Sequence, residues 1–218
     1  MTKKQLFNHF MIFLVFVILS VLVFTIVDRG IHFMLAWNAF LAFIPVVMVY
    51  LFSRYKNKPY ISMIIFLVWL FFYPNSIYLI TDLIYLNQDA FMQDEGMYQG
   101  LLYLQDFNAY FGFFHIFLGA MYGVVLALSS FKYFYQYFKE KYHYIHIFFF
   151  IFLPVLVSVG IYLGRFLRLN TWNLLNPYNV MREFFTNING FTFVYIGLFS
   201  LIQYIIFSFY FLYKKQIL

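Results

Sequence analysis

Again and again this chain runs for about 20 residues almost without a charge, the length that crosses a bilayer core as a helix. Each run then meets a short cluster of basic or polar residues. Hydrocarbon offers no water to an unpaired N–H or C=O, so such a segment closes its hydrogen bonds within a helix. The runs cover residues 10–27, 31–52, 60–82, 107–131, 146–163 and 191–213. Only 10% of the residues are charged, against roughly 25% in soluble domains. The expected fold is therefore all-α: a polytopic membrane protein, a bundle of about six transmembrane helices. It forms a single integral-membrane domain over residues 1–218.

The charges between the runs set an expected orientation. An even number of spans puts both termini on one side. That side collects Lys3, Lys4, Arg54, Lys56, Lys58, Lys132, Lys139, Lys141, Lys214 and Lys215, which makes 10 of the 14 basic residues. Arg29, Arg165, Arg168 and Arg182 fall on the other. Cytoplasmic segments carry the excess of Lys and Arg, so both termini are expected in the cytoplasm. The net charge of +6 follows from this bias, and no nucleic-acid partner is implied. Lys3 and Lys4 precede a long apolar run without a small-residue cleavage signal, the pattern of a retained first span. Two connections on the outer side are long. Phe91, Tyr98 and Leu102 in 87–106 have the spacing of a helix lying on the membrane. In 170–190, Asn176-Pro177 reads as an N-cap and first helical position ahead of a surface helix through Arg182 and Phe185.

The chain has no cysteine, which excludes disulfides, thiolate metal sites and cysteine nucleophiles. No phosphate-binding glycine loop, hydrolase elbow or zinc-binding histidine pair occurs, and no metal site is expected. Polarity gathers instead in two outer segments. One ends the third run, where Asn75, Tyr78 and Asp82 stand at i, i+3 and i+7 on one helical face, with Thr81 beside them. Pro74 fits a first helical position or a kink, since it has no N–H to give. The other covers residues 160–172, reading G-I-Y-L-G-R-F-L-R-L-N-T-W. Gly160 and Gly164 form a G-x-x-x-G pair that lets another helix approach closely. Tyr162, Arg165, Arg168, Asn170 and Trp172 follow from it, and Asp106 lies ahead of the fourth run. Asp82 and Arg165 end facing spans at similar depth, so a pair between them is expected. That pair is functional or structural; the residues leave both open. Arg168 is equally a ligand contact or a headgroup anchor. Asn75, Tyr78, Asp82 and Arg165 are expected to line one cavity open to the extracytoplasmic side. His115, among Gly112, Gly119 and Gly123, reads as a hydrogen-bonded packing residue.

These motifs resemble an uncharacterised bacterial integral-membrane family, domain of unknown function 1361. Its pattern W-x-x-F-x-P-N-x-x-Y-x-x-T-D-L is matched by Trp69, Phe72, Pro74, Asn75, Tyr78, Thr81, Asp82 and Leu83. The later pattern Y-L-G-R-F-L-R-x-N-S-W-D is matched from Tyr162 to Trp172, with Thr171 for the serine and Asn173 for the final acid. The resemblance implies a multi-pass fold with a polar outer face in a bacterial plasma membrane, and brings no activity or cofactor with it.

Two functions follow as expectations. The first is an extracytoplasmic-facing site for an anionic or lipid-linked phosphate ligand, with Arg165 and Arg168 as its cations. An enzyme of this kind would use Asp82 as base or metal ligand. The second is a non-enzymatic subunit or substrate-capture component of a larger membrane complex, with a membrane-protein partner. The lipid bilayer is a partner under either. A secondary transporter is a third and weaker reading, because no internal repeat is visible.

Overall fold

The first helix, α1 (Lys3–Val27), starts on a capping box in which Thr2 and Gln5 bond each other's backbone N–H groups, and ends at Asp28 in the left-handed region. It belongs to a computed structural model that describes residues 1–88, 91–94, 101–169, 173 and 176–214. After α1 come α2 (Gly30–Tyr55) and α3 (Pro59–Tyr78), the latter prolonged by a 3-10 helix over Leu79–Gln88. Two short strands, β1 (Met92–Asp94) and β2 (Leu101–Tyr103), precede α4 (Phe107–Lys139). The fifth crossing is composite: α5 (Ile145–Ile147), a π turn over Phe148–Phe152, then α6 (Leu153–Arg165). The short α7 (Pro177–Asn187) leads to α8 (Gly190–Lys214). Among the described residues six segments are long and apolar enough to cross a membrane, and the chain is a multi-pass membrane protein by that architecture.

What each helix buries follows from its surroundings. Against lipid there is little hydrophobic gain in hiding leucine or phenylalanine, so contacts between spans are made by small and polar groups that let backbones approach. α1 fully buries Phe16, Ser20 and Val23, one stripe at helical spacing, and lays Phe13 beside them against Phe43 of α2. α4 buries a longer stripe that includes Gly112, His115, Gly119, Tyr122 and Gly123. α2 packs against α1, α3 and α4, while α6 bridges α3 and α8. One buried cluster is strongly aromatic, with Phe52, Trp69, Phe131, Phe134, Phe149 and Phe207 packed together. Pro154 forbids a regular turn with the carbonyl four residues earlier, and the π turn lies just before it. Its own carbonyl accepts Ser158 Oγ at 2.8 Å and Gln203 Nε2 at 3.0 Å, which joins α6 to α8.

The expected surface helix over 87–106 is corrected. Its described part is an antiparallel hairpin, with Met92 opposite Tyr103 and Asp94 opposite Leu101. Gly96 and Gly100 interrupt the helical pattern there, each costing about 1 kcal/mol in a helix interior. The Phe91 ring packs edge-on against Tyr110 and Phe113 of α4. Leu102 is exposed on the hairpin, and Tyr98 lies outside the described residues. The other surface helix is present as α7, with the Asn176 side chain accepting the Asn179 N–H. α4 also runs on past Phe131 to Lys139.

Candidate functional site

Two glycines bring the candidate site together. A Cβ on Gly160 would sit 3.2 Å from the Pro74 ring, and one on Gly164 would sit 3.4 Å from the Tyr78 ring. The G-x-x-x-G face of α6 therefore lies against the Pro74–Tyr78 turn of α3. That approach carries Arg165, the last residue of α6, across the Tyr78 ring at 5.0 Å from its centroid.

From there the guanidinium is held on several sides. One terminal nitrogen donates to Asp82 Oδ1 at 2.8 Å and to Thr81 Oγ1 at 2.7 Å. The other donates to the Tyr85 hydroxyl at 3.2 Å, and the Tyr85 ring lies 5.2 Å from the guanidinium carbon. Asp82 is almost wholly enclosed, at 1% exposure, whereas Arg165 keeps 14%. The second carboxylate oxygen accepts from Asn38 Nδ2 on α2 at 3.1 Å. The Thr81 hydroxyl donates to the Tyr78 carbonyl at 2.6 Å, so its oxygen lone pairs can accept from Arg165. Three helical elements thus fix one planar cation, with its ion-pair partner behind it. Of the five N–H donors on a guanidinium, three are engaged among the described residues.

The expected site residues divide accordingly. Tyr78, Thr81, Asp82 and Arg165 are gathered in one cluster. Asn75 lies one turn deeper on α3, half-buried, and donates to the Phe72 carbonyl at 3.1 Å. Tyr162 belongs to a different contact, where its hydroxyl accepts from Thr192 Oγ1 at 3.0 Å and its ring meets Tyr195. Asp106 is the exposed N-cap of α4 and accepts the Asn108 and Ala109 N–H groups. Arg168 is exposed, with a left-handed backbone at φ 55°. Asn170 and Trp172 lie outside the described residues. Two members of the cluster escaped the sequence motifs, Asn38 and Tyr85. Asn38 is a lone amide in an apolar span, itself a reason to expect a partner, and Tyr85 stands three residues beyond Asp82.

A second polar cluster joins α1, α2 and α4. His115 Nε2 is 2.9 Å from Ser20 Oγ, and its Nδ1 is 3.0 Å from His32 Nδ1. Phe16 stacks on the His115 ring at 5.1 Å, and Gly112 leaves the space that the His32 ring fills. All three polar residues are buried. His115 is a hydrogen-bonded packing residue in this arrangement. Among the described residues no three His, Asp or Glu side chains are grouped to hold a metal ion.

A family model described as a protein of unknown function, DUF1361, matches residues 37–206. No curated protein and no solved structure matches the chain. The matched segment encloses Asn38, Tyr78, Thr81, Asp82, Tyr85 and Arg165, whereas Ser20 and His32 of the histidine cluster fall before it.

Proposed function

The chain belongs to the DUF1361 family, and we propose that it is a plasma-membrane protein whose extracytoplasmic-facing site binds an anionic, phosphate-bearing ligand through Arg165 and Arg168. The observation that carries this is the way Arg165 is held. Asp82, itself held by Asn38, grips the guanidinium from its buried side, and the Tyr78 and Tyr85 rings lie against it. A donor fixed beforehand loses little rotamer freedom when a ligand arrives. Asp82 offsets the cost of carrying Arg165 into the bundle, and exposed Arg168 adds a charge on the outer side. The orientation rests on the 10 basic residues gathered on the side of the termini. Reporter fusions after Lys58 and Lys141 should read cytoplasmic, and fusions within 87–106 extracytoplasmic; the opposite pattern would place the site on the wrong face.

Binding is tested by thermal unfolding in detergent with a short-chain phosphatidate, against its neutral diacylglycerol counterpart. A ligand that binds only the folded form raises the midpoint. The wild type should be stabilised by the phosphatidate alone, and the Arg165→Lys/Arg168→Ala variant should lose that response. Equal responses in both proteins would refute the reading. A second reading, a non-enzymatic subunit or capture component of a larger complex, is favoured by the pairing itself, because Asp82 cancels the Arg165 charge and ties α3 to α6. Purification in mild detergent with a stoichiometric membrane partner, and without phosphatidate stabilisation, would support it.

A further inference from the structure

At 100° per residue the side chains of α7 divide into two halves. Val180, Phe184, Met181, Phe185 and Tyr178 follow one another around an apolar arc of roughly 160°, and Arg182, Thr186, Asn179, Glu183 and Asn187 complete the circle. The bundle covers only one end of the apolar arc. Val180 is buried and Phe184 meets the Tyr162 ring edge-on at 6.2 Å. The rest is open: Tyr178 is 74% exposed, Met181 58% and Phe185 62%. With 11 residues the helix is about 16 Å long, too short to cross a core of ~30 Å.

Its level in the bundle is fixed at the C-terminal end. The Tyr162 hydroxyl donates to the Asn187 carbonyl at 3.4 Å and accepts from Thr192 in the first turn of α8. α7 therefore enters α8 at the depth of Tyr162, and Arg165 stands three residues further out on the same helix, about 4.5 Å by helical rise. A helix with the bundle on one flank, a bare apolar stripe beside it and charges on the remaining half has the arrangement of an interfacial helix.

We propose that α7 lies in the plane of the membrane, with Tyr178, Met181 and Phe185 inserted into the leaflet that meets the end of α6. The Arg165 cluster then sits at headgroup level, and the anion it takes is the headgroup of a membrane lipid rather than a free solute. The second step rests on the anion-binding reading above; the placement of α7 does not.

The chain has no cysteine, so single-cysteine variants of the full-length protein report one site each. Met181→Cys and Thr186→Cys, labelled with an environment-sensitive fluorophore, are reconstituted in phosphatidylcholine vesicles containing phosphatidate and spin-labelled lipid. The probe at 181 should be blue-shifted and quenched several-fold more strongly than the probe at 186. Equal, water-like spectra would overturn the placement while leaving anion binding intact. The wild type is then tested for binding to phosphatidate vesicles and to glycerol phosphate, the same headgroup without its tails. Arginine-dependent binding of the vesicles alone supports the lipid source. Equal Arg165-dependent binding of glycerol phosphate overturns the lipid source and preserves the site. Binding of neither overturns the anion site itself, and with it the ligand step, whatever the depth of α7.

Discussion

Replacing Arg165 by methionine should cost more stability than replacing Asp82 by asparagine, and the asymmetry follows from burial. Removing one partner of a buried pair leaves the other charge uncompensated, at a cost of about 3–5 kcal/mol. In Arg165→Met the survivor is Asp82, at 1% exposure, with Asn38 as its remaining donor among the described residues. That case belongs at the upper end, about 5 kcal/mol. In Asp82→Asn the survivor is Arg165, 14% exposed, with Thr81, Tyr85 and two aromatic faces still around it. That case belongs near about 3 kcal/mol. At about 2–4 °C per kcal/mol for a chain of this size, the unfolding midpoint should fall by roughly 10–20 °C and 6–12 °C respectively. Combining Asp82→Leu with Arg165→Met removes both charges, so the double variant should be more stable than Arg165→Met alone. Thermal unfolding of the purified variants in one detergent gives all three values. Additive losses, or an Arg165→Met protein as stable as the wild type, would show that the pair does not hold α3 to α6.

Further outcomes can be read on the same instrument. A Cβ at Gly123 would collide with the Ser76 carbonyl and meet Leu79 at 2.9 Å, so Gly123→Ala should destabilise by about 1–3 kcal/mol. Gly197 has no atom within 4 Å of the same position, and Gly197→Ala should be neutral or stabilising by up to ~1 kcal/mol; similar losses at both sites would contradict the close approach of α3 and α4. His115→Phe removes the group that joins Ser20 to His32 and should cost about 1–3 kcal/mol, with phosphatidate stabilisation retained; a stable variant that loses the response would move His115 into the site. Arg168→Gly relieves a left-handed backbone and should gain about 1 kcal/mol while weakening phosphatidate stabilisation, whereas a gain with full binding would make Arg168 irrelevant to the ligand.

Much of this arrangement was legible because lipid makes polar residues informative. Asp82 and Arg165 were matched by depth and charge, and the G-x-x-x-G pair announced a close neighbour, which proves to be the Pro74–Tyr78 turn. Asn176-Pro177 marked the start of α7 by the chemistry of a helix N-terminus. The rest depended on which helices are neighbours, and linear spacing does not encode that. Asn38 reaches Asp82 only because α2 packs beside the 3-10 helix, and His32 meets His115 across helices far apart in sequence. Tyr85 was lost by ending the third span at Asp82, where the helix tightens and continues. The hairpin was missed because Phe91 and Leu102 share a helical spacing by coincidence, while backbone pairing between β1 and β2 satisfies the same polar groups.

Native mass spectrometry of the protein released from nanodiscs of equal phosphatidylcholine and phosphatidate tests the site most directly. The wild type should retain phosphatidate in excess over its share of the disc. Arg165→Lys keeps the charge but lacks the planar fork that Asp82, Thr81 and Tyr85 hold, and it should release that excess while remaining folded. A folded Arg165→Lys protein that retains phosphatidate as the wild type does, or a wild type that carries the two lipids in the proportion of the disc, would contradict the assignment of Arg165 as the anion-binding residue.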